Sequence, residues 1–422
     1  MASEVLSSES ESQNPITPYM PASAYALLLV AVLWFSGCSR SDNPANAKPA
    51  TAAAPVSKKY ETLADVPPDL QRNAEKFGGD LERSIRQRNL PELRAAFNVT
   101  AIVDGICDGV NASGQRLEQF KSGMARGMRT GVDQVADMWS KDDAKYKRVV
   151  IYKGEVAARF RFVDKDSGIS MLDLVLQTNR QGNLAIANFC NHAMGYDMVE
   201  QSRQVAAPIL AELDQTFLER LVNNPGVSLE NMKKFSGLTQ KLRAGDFAGT
   251  IAGYKELPPE LRQTMAATAI YITALQRGND MNAYKAALKE AAARFKAVNF
   301  QFMLVDVYAL DKDYDKAVSC VDAFMTALER DAALLALKSI LLNAKGDVTA
   351  ARASLREAFQ MEPDCLYAHS KGLDVLLAAK DFPAVRDSMV FLEKHGGYNF
   401  KNHLNDKVWT DFRKAPESAA WR

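Results

Sequence analysis

The chain has 422 residues, 47% hydrophobic and 24% charged, with 52 Lys and Arg against 51 Asp and Glu for a formal charge of +1. That length leaves room for two or three domains with substantial cores, and a near-neutral balance without basic runs gives no footprint for nucleic acid. Five Cys and four His, with no CxxC or His-x-x-x-His spacing, point to no metal centre and no cofactor.

The first element is an apolar run, Ala22 to Phe35, of signal-peptide length and shorter than the roughly 20 residues a membrane-spanning helix needs. It ends in Phe35-Ser36-Gly37-Cys38, which resembles the lipobox of bacterial lipoproteins. The resemblance implies that Cys38 is lipidated and becomes the mature N-terminus. Ser39 rather than Asp after the Cys implies sorting to the outer membrane, facing the periplasm. Two features depart from the pattern: Phe35 stands where Leu is commoner, and Glu4, Glu9 and Glu11 precede the apolar run where Lys or Arg is usual. A translation start at Met20 would remove those acids. Residues 1–38 are therefore expected to be a signal segment. Residues 39–59, rich in Ala, Pro and Ser, read as a flexible tether that cannot bury a core.

Residues 60–196 change texture. Leu81 to Ile85 and Leu90 to Phe97 predict two short helices, and Ser113 to Ser140 a longer one. Four alternating runs follow, Arg148–Lys153, Glu155–Val163, Ile169–Thr178 and Leu184–Cys190, separated by hairpin-turn residues. Helices followed by an antiparallel meander define an α+β domain. Its layout resembles the cone shared by nuclear transport factor and ketosteroid isomerase relatives, which implies a sheet curved around helices with a pocket inside. Phe160, Phe162, Leu172, Leu174 and Leu176 are predicted to face inward. Arg159, Arg161 and Asp173 share the outer face, where a cross-strand ion pair explains them. The strands thus give such a pocket no general base, and Asp104, Asp108 and His192 remain as loop residues that could supply one. Cys107 and Cys190 could bridge in an oxidising compartment, whereas Cys320 and Cys365 read as small apolar packing groups. Residues 197–228, with Val205, Ile209, Leu213 and Phe217 at helical spacing, predict a connecting helix.

Between Tyr308 and Phe382 the chain repeats every 34 residues, with Asp313, Asp347 and Asp381 each opening a matched segment. In the middle copy Gly346 can close one helix in the left-handed conformation and Asp347 can cap the next. Leu335, Leu342, Leu355 and Ala358 fall at helical spacing, Ser339 and Ala351 permit close approach, and Pro363 stops the second helix. Leu335, Ser339, Leu342, Ala351, Leu355, Ala358 and Pro363 together resemble the tetratricopeptide repeat. Tyr308, Asp313, Ala317, Val321 and Phe324 match in the preceding copy, where Glu329 replaces the Pro. Gly245-Asp246 and Gly278-Asn279 mark two degenerate copies upstream. About five helix pairs are expected over residues 229–396, with residues 397–422 as an aromatic C-terminal cap.

The resemblance implies an all-α solenoid whose first helices line a groove for partner proteins. Carried over copy by copy, the groove positions are Phe302, Asp306 and Leu310, then Ala336, Ile340 and Asn343, then Tyr367, Ser370 and Asp374. They lack the Lys/Arg cluster with which chaperone-binding members clamp a terminal carboxylate. The expected protein is a non-enzymatic, membrane-tethered lipoprotein that scaffolds envelope proteins or peptides and has no catalytic residues. The rival is an exported enzyme or small-ligand binder working through a pocket of the α+β domain.

Overall fold

A computed structural model describes residues 58–421, apart from 111–114, 165–167, 194, 214–228, 296–297 and 402–403. The signal segment, Cys38 and most of the tether lie outside the described residues. Two compact units emerge, one ending at Phe300 and one beginning at Gln301.

The first unit opens with α1 (Pro68–Arg86), α2 (Leu90–Ala95), α3 (Val99–Ile106) and α4 (Gln115–Trp139). Pro68 occupies the first helical position, where its missing N–H costs nothing, and Leu70, Ala74, Phe77, Leu81 and Ile85 form one apolar stripe. This helix begins well before the Leu81 at which the sequence pattern becomes visible, because polar residues dilute the stripe's first two turns. Strands β1 (Asp143–Tyr152), β2 (Glu155–Val163), β3 (Ile169–Thr178) and β4 (Leu184–Asn191) pair antiparallel in chain order, with the two-residue β5 (Tyr196–Asp197) at the edge. The β1–β2 turn places Lys153 and Gly154 at φ 50° and 82°, the paired left-handed geometry whose twist suits a two-residue hairpin.

Because the pleat alternates, one face of the sheet carries Phe160, Phe162, Leu172, Leu174 and Phe189 into the core beneath α1 and α4. Trp139, at the end of α4, meets Phe97, Phe162 and Phe189 at ring separations of 5.5, 5.1 and 6.2 Å. The same core cluster continues through α5 (Met198–Leu213), α6 (Leu229–Arg243) and α9 (Met265–Arg277), taking in Leu210, Phe235, Leu238 and Ile270. Helices α6 and α7 (Phe247–Glu256) form one antiparallel pair. A second pair, α9 and α10 (Met281–Phe295), follows the one-turn α8 (Pro259–Arg262).

Helix α11 (Val298–Leu310) carries the chain into the second unit. There it is followed by α12 (Tyr314–Ala327), α13 (Ala332–Lys345), α14 (Val348–Met361), α15 (Leu366–Ala378) and α16 (Phe382–Phe391). Helix α13 packs against both α14 and α15, and α15 against both α14 and α16. Side-chain size sets the approach. Ser339, Ala351, Leu355 and Ala358 are fully buried, and a Cβ on Gly372 would sit 2.8 Å from both methyls of Leu355. A polar strut adds to this, Ser354 Oγ donating to the Leu335 carbonyl at 2.8 Å.

One turn design recurs along the chain. Asp246, Asp280, Asp313, Asp347 and Asp381 follow one another at steps of 34, 33, 34 and 34 residues. Each is preceded by a left-handed residue: Gly245, Asn279, Lys312, Gly346 and Lys380, at φ 76°, 59°, 60°, 92° and 54°. Asp246, Asp280 and Asp347 cap the next helix, accepting from backbone N–H groups at 2.8, 3.1 and 3.0 Å. Asp381 makes no capping bond, and its Oδ2 accepts from Arg352 Nε at 2.9 Å.

The C-terminal segment closes the second unit with aromatic rings. Phe412 lies 5.9 Å from Phe382, 6.0 Å from Trp409 and 6.3 Å from Trp421, whose indole N–H donates to Glu393 at 2.8 Å. The fold is therefore an α+β part followed by a long helical run.

Candidate functional site

In the α+β part, the space a cone-like pocket would occupy is filled by Trp139, Phe97, Phe162 and Phe189. Of the three candidates for the rival reading, Asp104 falls within α3 rather than in a loop, and none belongs to this aromatic packing. Asp104 holds Lys121 Nζ at 2.8 Å, and Asp108 is exposed. His192 turns to the opposite face of the sheet, where its Nε2 lies 2.6 Å from Asp173 Oδ2.

That opposite face is organised around the Arg159–Asp173 pair. The register places Arg159 across from Asp173, and Asp173 across from Cys190. The guanidinium donates to both carboxylate oxygens at 2.7 and 2.8 Å, and the two side chains are only 9% and 1% exposed. Burial alone pushes the Asp173 carboxyl up, but the bonds from Arg159 and His192 outweigh it and hold the group below the usual carboxylate range. With both oxygens committed, Asp173 is a structural anchor more than a base. Beside it, Asp197 accepts from Tyr152, Lys153 and Asn188 at 3.0 Å each.

Cys107 and Cys190 are both free and buried, the first in the core under the sheet and the second on its other face, and burial pushes each thiol up to about 12. Asp142, which nothing in the sequence pattern marks, has an unpartnered buried Oδ2. Burial, then the nearby Asp164 and Asp143, push its carboxyl up to about 8. Among the described residues no group of His, Cys, Asp and Glu could hold a metal ion.

In the second unit, the groove positions divide by exposure. Ala336 is fully buried, while Asp306 and Tyr367 are each 3% exposed, so these three are closed to a partner and that expectation is corrected. For Ala336 and Tyr367 the reason is packing: α13 and α15 lie against one another and cover part of the face the repeat pattern assigns to ligand. Phe302 stacks on Phe324 at 4.1 Å and serves the helix pair itself. Leu310, Ile340, Asn343 and Ser370 are half-buried and Asp374 is exposed.

Lys371, one turn from Asp374, was missed, although a cation at that spacing from an acid on one helix face was readable. Burial lowers its ammonium and raises the Asp374 carboxyl, each partly offset by the other. Asp374 is exposed as a residue, while neighbouring protein strips hydration from its carboxyl. On α13 and α15 the result is a row of one apolar and several polar groups, a chemistry suited to anchoring and orienting a peptide.

Comparison with protein-family models, with curated proteins and with solved structures finds no match.

Proposed function

We propose that the chain is a lipid-anchored envelope protein, tethered through Cys38, whose helix pairs are of tetratricopeptide type and dock other envelope proteins. The observation that carries this reading is the row Ile340, Asn343, Ser370 and Asp374 on α13 and α15, which remains accessible while the surrounding repeat positions are buried. The filled interior of the α+β part and the commitment of Asp173 to Arg159 weigh against a reaction centre there. No helix among the described residues is long and apolar enough to cross a membrane. An acyl chain on Cys38, at about 0.8 kcal/mol per buried methylene, would supply attachment without one.

The test has two arms. Metabolic labelling with an alkyne fatty acid should tag the wild-type chain and not Cys38→Ala. Cross-linking in intact cells should then recover discrete partners with the wild type that are lost with Cys38→Ala and with an Ile340→Glu/Asp374→Lys double variant. Fatty-acid labelling that persists in Cys38→Ala rejects the anchor. Partner recovery indifferent to the groove changes rejects the scaffold.

A further inference from the structure

In the first unit, α7, α8, α9 and α10 line a half-open cavity of about 310 Å³ that the proposed scaffold role does not use. One wall is aromatic: Tyr254 and Tyr271 stack with ring centroids 4.2 Å apart and planes 7° from parallel. Tyr254 is pinned by its hydroxyl, which donates to the Arg262 carbonyl at 3.1 Å, and the same carbonyl accepts from Thr268 Oγ1 at 3.2 Å. The ring and the Arg262 backbone therefore hold a fixed relation before any ligand arrives.

The remaining lining is cationic. Lys255, Arg262 and Arg294 stand against Glu290 alone, a net lining charge of 3 − 1 = +2. Arg294 is already paired with Glu290. Neither Lys255 nor the side chain of Arg262 has a hydrogen-bond or ionic partner among the described residues, and Arg262 Nε is fully shielded from solvent. The shielded Nε is out of a ligand's reach, whereas the terminal guanidinium nitrogens are not shielded, and the fork geometry of a guanidinium matches a planar oxyanion. The volume lies at the small end for ligand sites, which excludes a folded partner or an extended peptide.

We propose that this cavity binds a small organic carboxylate carrying a flat ring, its carboxylate taken by Arg262 with Lys255 supplying the second charge and its ring lying against the Tyr254–Tyr271 wall. Calorimetric titration of the full-length protein with benzoate, benzamide and inorganic phosphate tests it. Benzoate should bind at least about tenfold more tightly than neutral benzamide, which lacks the charge that strengthens the hydrogen bonds. Benzoate should also bind more tightly than phosphate, which lacks the ring.

Arg262→Met should abolish benzoate binding. Because that variant could disturb the α7–α9 contact, Lys255→Gln, at an exposed position, should weaken benzoate on its own while leaving the circular dichroism unchanged. Equal binding of benzoate and benzamide, phosphate binding as tight as benzoate, no saturable binding of benzoate, or Lys255→Gln without effect would each overturn the proposal.

Discussion

Asp173→Asn isolates the polar anchor of the sheet. The substitution keeps the side-chain volume but removes the charge that two buried N–H groups of Arg159 and the ring of His192 share, at 2.7, 2.8 and 2.6 Å. Breaking a buried pair on one side costs about 3–5 kcal/mol because the other charge is left uncompensated. Asn can still accept one of the bonds, which puts the expected loss near the lower end, about 3 kcal/mol. With two compact units a single unfolding midpoint is not well defined, so the readout is amide hydrogen exchange in β2 and β3. The expected effect there is roughly a hundredfold faster exchange.

The wild type also carries its own signature in pH. Since folding lowers the Asp173 pKa, its contribution is present above the unfolded value near 3.9 and is lost as pH falls through the folded one. Asp173→Asn should remove that acid-dependent step. Replacing the pair together, Arg159→Met with Asp173→Leu, should recover most of the loss. Exchange in β2 and β3 unchanged by Asp173→Asn, or a double variant no better than the single one, would refute the uncompensated-charge reasoning.

Three further outcomes follow from the packing and the turns. Lys312→Gly relieves a side chain held at φ 60° and should stabilise the second unit by about 0.5–1 kcal/mol, read as slower amide hydrogen exchange in α12 and α13. Gly372→Val drives a side chain into the Leu355 methyls and should destabilise the same unit by about 2 kcal/mol in urea, within the range for overpacking. Asp142 holds a proton in the folded state up to about pH 8 that the unfolded chain releases near 3.9, so wild-type stability should fall as pH rises between those values. Asp142→Asn should therefore stabilise increasingly from pH 5 to pH 8, measured as increasing amide hydrogen-exchange protection of β1 relative to the wild type.

Legibility in the sequence tracks how local each feature is. The helix–turn–helix rhythm was readable at Gly346-Asp347 because one left-handed residue and one capping Asp fix the turn within a few bonds. The same slot filled by Lys312 or Lys380 was not, since nothing in a Lys announces a positive φ. Alternation told which strand residues share a face, and so paired Arg159 with Asp173, but not that the pair is buried, which depends on what the rest of the chain lays over it. Repeat register likewise assigned Asp306 and Tyr367 to a groove, yet their burial depends on tertiary contacts that the register does not encode. The Arg262 cavity had no sequence signature at all: it depends on four helices meeting, and its charge surplus emerges only once Glu290 is seen to be taken by Arg294.

The measurement that bears most directly on the scaffold reading is site-specific photo-cross-linking in intact cells, with a photoreactive residue placed in turn at Ile340, Asn343, Ser370 and Asp374, and at Ala353 and Arg356 on α14 as exposed controls. The reading predicts discrete protein adducts from the α13 and α15 positions and none from α14. Adducts of equal yield from both sets, or none from α13 and α15, would contradict it.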